Sequence, residues 1–68
     1  MKKKYYSESM YPMDTMDYKG YHIRFYSNGG AIDVNIYDKD ANDICNLCDF
    51  KTMKEAKNRS KSEIDDLN

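Results

Sequence analysis

Ser27-Asn28-Gly29-Gly30 constrains this chain more than any other segment. Asn-Gly and Gly-Gly both accept positive φ, the backbone state that tight hairpin turns require. Apolar residues alternate on either side of it. Tyr21, Ile23 and Phe25 alternate with His22, Arg24 and Tyr26, and Ile32, Val34 and Ile36 alternate with Asp33, Asn35 and Tyr37. Period two marks a strand with one buried face, so the pattern predicts an antiparallel hairpin with strands near 20–26 and 31–37.

A second turn, Asp38-Lys39-Asp40-Ala41-Asn42, leads to a third run over residues 43–50 whose phase is less regular. Ile44, Cys48 and Phe50 share one face, with Asn46 interrupting, and Cys45, Leu47 and Asp49 share the other. The mostly apolar set predicts Ile44, Cys48 and Phe50 inside. A bulge would bring Leu47 inward instead.

Thr52-Met53-Lys54-Glu55 is a capping box, in which the Thr52 hydroxyl serves one orphan backbone N–H and Glu55 reaches back to another. Met53, Ala56, Ser60, Ile64 and Leu67 recur at spacings of three and four, the stripe of a helix lying on a sheet. The helix is expected over about residues 53–65.

The expected fold is therefore α+β: a three-stranded antiparallel β-sheet, a meander, packed on one C-terminal α-helix. Phe25, Val34, Ile36, Phe50 and Ile64 are its expected core. Residues 18–68 form this βββα domain and residues 1–17 an irregular N-terminal arm, with a short strand at Lys3–Tyr6. Tyr5, Tyr6, Tyr11, Met10, Met13 and Met16 would gain by packing, whether on the chain's own core or on a partner.

Sixty-eight residues hold one small domain. With 34% charged residues and a mean hydropathy of −1.00, its core is marginal. A target, or a second copy in a homo-oligomer, would supply part of the missing burial. No apolar run approaches the ~18 residues of a membrane span. Lys2-Lys3-Lys4 is followed by Tyr5-Tyr6-Ser7-Glu8-Ser9 where a secretory leader would be apolar, so the expected location is cytoplasmic.

Candidate chemistry is sparse. Cys45 and Cys48 form a CxxC, but a structural zinc site wants four ligands and His22 is the one other soft donor. A redox pair belongs at a helix start, not in a strand. The odd spacing in a strand points the two thiols to opposite faces, so both are read as reduced structural cysteines. Asp38-Lys39-Asp40-Ala41-Asn42 resembles the opening of a calcium loop, but Asp43 stands where such a loop needs glycine. An ordinary turn uses the same residues. His22 and Asp33 could pair across strands on the outer face, which makes no active site. The reading is of a non-enzymatic protein with no cofactor and no metal.

What remains is the open face of the sheet. It is expected to carry His22, Arg24, Tyr26, Asp33, Asn35, Tyr37, Leu47 and Asp49, with Asp38 and Asp40 on the adjoining turn. Tyrosines among mixed charges give rigid contact area with a polar tip, as protein-binding patches do. Residues 31–50 hold five acidic groups against one basic, and no basic stripe suited to phosphate runs along the chain.

Three strands followed by Phe50-Lys51-Thr52 and Lys54-Glu55-Ala56 resemble the arm-type DNA-binding domains of tyrosine integrases. The likeness covers residues 20–66 in layout, with coinciding residues only at 50–56. It implies a sheet backed by a helix, and DNA read by the open face; Arg24 would favour phosphate there and Asp33 and Asp49 would oppose it. In its small size and Lys-, Asn-, Asp- and Tyr-rich character the chain also resembles phage and mobile-element accessory proteins of the anti-CRISPR inhibitor type. That resemblance implies stoichiometric binding to a host protein or protein–nucleic-acid complex in the host cytoplasm, with Asp33, Asp38, Asp40, Asp43 and Asp49 set against a basic groove. Protein binding is the leading expectation and DNA binding the alternative.

Overall fold

Two glycine-bearing turns set the register of the sheet. In the computed structural model, which describes residues 12–67, strand β2 (Tyr21–Asn28) runs into β3 (Ala31–Tyr37) through Gly29-Gly30. Both glycines have positive φ, 59° and 89°, as a primed two-residue turn demands. Phe25 then falls opposite Val34 and Ile23 opposite Ile36, so the apolar residues of both strands share one face.

The same device operates one hairpin earlier. Strand β1 (Asp14–Tyr18) joins β2 through Lys19-Gly20, with φ of 51° and 86° and Tyr18 opposite Tyr21. All of this fourth strand except Tyr18 lies within the segment expected to be an arm. Three of its five residues, Asp14, Thr15 and Asp17, are polar, which hides its alternation; Met16 and Tyr18 pack against the core. The strand expected at Lys3–Tyr6 lies outside the described residues.

Strand β4 (Asp43–Phe50) completes a sheet of order β1-β2-β3-β4, antiparallel throughout. Here the expected face is corrected. Val34 pairs with Leu47 and Ile32 with Phe50, so Cys48 and Asp49 together oppose Asp33. That extra residue is a bulge, and Asp49 takes a φ of 69° within it. A second irregularity, between Ile36 and Tyr37, leaves Ile44 as an extra residue. Cys45, Leu47 and Phe50 therefore pack against the core, whereas Ile44 and Cys48 are exposed.

Helix α1 (Met53–Leu67) lies across β2, β3 and β4. Glu55 N–H donates to Thr52 Oγ1 at 3.2 Å, and Lys51 N–H donates to Glu55 Oε1 at 3.2 Å. The cap thus works as the sequence predicts, with the return bond one residue earlier than Thr52. Ala56, Ser60 and Ile64 are fully buried, and Ser60 Oγ donates to the Ala56 carbonyl at 2.7 Å, satisfying its hydroxyl inside the core. Leu67, expected on the stripe, is exposed. Ion pairs Lys19–Asp65 (2.7 Å) and Lys57–Asp14 (3.4 Å) connect the β1 hairpin to the helix. The fully buried core is Ile23, Phe25, Val34 and Ile36 of the sheet under Ala56 and Ile64.

Candidate functional site

With Ile23, Phe25, Val34 and Ile36 turned to the helix, alternation turns His22, Arg24, Tyr26, Asp33, Asn35 and Tyr37 to the opposite face. Among the described residues no helix or strand packs on that face. Leu47, expected there, is removed from it by the extra residue Ile44 and packs against the core.

The face divides into three zones. In the middle Tyr26, Asp33 and Asn35 are only 7–8% exposed, so they offer little contact area. All three lie on the two central strands, each flanked on both sides. Asn35 Nδ2 donates to Tyr37 Oη at 3.2 Å.

At the bulge end Asp33 accepts from Asn28 Nδ2 at 2.9 Å and from the Asp49 backbone N–H at 3.4 Å. Ligand atoms of Asp33, Cys48 and Asp49 lie within 4.8 Å of one another. These three could face a metal ion, but Asp33 is already held by two donors. The Asp49 charge, with a smaller contribution from burial, raises the Cys48 thiol pKa. Cys45 is free as well and points inward, where burial first and the Glu63 charge second raise its pKa. The thiols thus face opposite sides, as their spacing predicts.

At the other end, beside the Lys19-Gly20 turn and the β3–β4 loop, the chain builds an open basin of about 680 Å³. Tyr21, His22, Arg24, Tyr37 and Lys39 line it, with Gly20 adding no side chain. The Arg24 guanidinium stands over the Tyr37 ring, 4.9 Å from its centroid. His22 does not pair with Asp33, which sits opposite Tyr26; its neighbours are Tyr37 on β3 and Asp17 on β1. His22 Nδ1 lies 2.8 Å from Asp17 Oδ1, which fixes the ring against the edge strand and leaves Nε2 for other contacts.

The loop at the rim satisfies itself. Asp38 accepts the backbone N–H groups of Asp40 and Asn42, each at 2.9 Å, and Asn42 Nδ2 at 3.1 Å. Those bonds, the Asn42 backbone one foremost, hold its carboxyl below the usual range. Asp38 is therefore committed to the turn, and Asp40 and Asp43 are the exposed acids of this segment.

Asp17, Gly20, Tyr21 and Lys39 are basin residues that the sequence reading did not single out. The signal for the first two was Lys19-Gly20, a two-residue break between Tyr18 and Tyr21 that matches a hairpin turn. Nothing in the sequence marks Lys39, which arrives by the fold of its loop. Compared with known protein families, with curated proteins and with solved structures, the chain matches none of them.

Proposed function

We propose that the protein is a small non-enzymatic binding protein, an accessory or inhibitor of the anti-CRISPR-like kind, which acts by covering part of another protein with its outer sheet face. One observation carries this reading: the open basin lined by His22 and Tyr37 of the outer face, with Arg24 held over the Tyr37 ring. Tyrosine and arginine are the side chains in which interface energy concentrates. A ring already fixed by Arg24 and Asn35 loses little further conformational freedom on binding. Exposed Asp40 and Asp43 stand on the adjoining segment, where rim charges steer encounter with a partner.

DNA binding is the competing reading, and it rests on Arg24 and Lys39 at the same end of the face. Salt-titrated binding to duplex and single-stranded DNA, run beside affinity capture from a host lysate, tests the two. The proposal expects a stoichiometric protein partner and no DNA affinity at physiological salt. Sequence-independent DNA binding that falls steeply with salt, with no protein partner recovered, overturns it.

A further inference from the structure

We infer that the basin is an acid-accepting seat, in which Arg24 receives a carboxylate from an acidic segment of the partner protein. The inference rests on the reading that the outer face meets a protein, and it names the chemistry that one end of the face selects.

The argument begins with charge. Among the described residues no carboxylate pairs with the Arg24 guanidinium, which stands over the Tyr37 ring. The two carboxylates that line the basin are engaged elsewhere: Asp17 with His22, and Asp38 with the backbone of its own turn. Lys39 adds a second cation at the rim. The cavity thus presents unengaged positive donors, although both signs of charge line it.

Geometry narrows the ligand. A guanidinium stacked on an aromatic ring keeps its N–H edge for a planar acceptor, and a carboxylate matches that fork with two parallel hydrogen bonds. The Tyr37 ring supplies apolar wall for a methylene stem. A volume of about 680 Å³ admits one or two side chains with part of their backbone. Aspartate and glutamate side chains on an extended segment fit these terms.

The test is an amide-resolved NMR titration of the ¹⁵N-labelled protein at low salt. The probes are a blocked hexaglutamate peptide, a hexalysine peptide, inorganic phosphate and an oligothymidylate. The expected result is shifts at His22, Arg24, Tyr37 and Lys39 with hexaglutamate, and none there with hexalysine. Arg24→Gln should weaken the peptide at least about tenfold, the scale of a lost charge-assisted hydrogen bond, and Arg24→Lys should fall between. Phosphate or oligothymidylate binding as tightly as hexaglutamate overturns the inference, because the seat would then read phosphate. So does hexaglutamate binding unchanged in a folded Arg24→Gln variant. A captured partner that is weakened by Tyr37→Ala but not by Arg24→Gln also overturns it, while leaving the proposed function standing.

Discussion

Leu47 stands directly across the sheet from Val34, because Ile44 is an extra residue near the start of β4, and the bulge at Cys48 and Asp49 then lets Phe50 return opposite Ile32. Both side chains then join the face that α1 covers. Leu47→Ala should accordingly cost about 2 kcal/mol, the low end for a large aliphatic residue because Leu47 is only part-buried. Ile44→Ala, at a site 40% exposed, should cost under about 1 kcal/mol. Urea midpoints of the two variants measure this, and the reverse order would place the other face of β4 inside.

The helix cap makes a second, local prediction. Thr52 Oγ1 accepts from the Glu55 N–H, so Thr52→Ala should lower stability by about 1 kcal/mol. Glu55→Ala, which frees only the Lys51 N–H at an exposed site, should cost less. An unchanged midpoint in Thr52→Ala would mean that the helix starts elsewhere.

Cys48 is exposed, yet its thiol pKa is raised, chiefly by the neighbouring Asp49 charge. It should alkylate slowly for an exposed cysteine near pH 8. Asp49→Asn should speed the reaction by lowering the thiol pKa, and Cys45 should remain the slower of the two in both proteins because it is part-buried. Mass spectrometry of iodoacetamide-treated samples reads both sites. No acceleration in Asp49→Asn would remove the Asp49 charge as the cause.

Asp38 gives the fold a dependence on acid. Its carboxyl is depressed in the folded chain by the turn's own N–H groups, so the ionised form is the one that stabilises the loop. That contribution is present above the unfolded carboxylate value of about 4 and is lost as pH falls through the lower folded value. Asp38→Asn should therefore be less stable than wild type at neutral pH, and the gap should narrow below about pH 4. Thermal melts across pH 2–7 check the sign. A gap that widens in acid contradicts it.

The hairpin of β2 and β3 was legible because turn chemistry and period two agree there, and the start of α1 because its cap is a local hydrogen-bond pattern. Strand β1 was not, since Asp14, Thr15 and Asp17 offer an edge strand no apolar rhythm. The phase of β4 was lost to two irregularities, and a single extra residue exchanges the two faces of everything beyond it. Alternation correctly put His22, Arg24 and Tyr37 on the outer face. It could not reveal that Tyr26, Asp33 and Asn35 are nearly inaccessible there, or that Asp38 is consumed by its own turn, because both depend on neighbours brought in by the fold.

The central claim is that Tyr37, under Arg24, anchors a protein partner. Its most direct test is the affinity of the captured partner for wild type and for Tyr37→Ala, measured by calorimetry at physiological salt, with circular dichroism confirming that the variant folds. A loss of about 1–2 kcal/mol, or roughly five- to thirtyfold in Kd, is the predicted result. Wild-type affinity in a folded Tyr37→Ala variant would contradict the account.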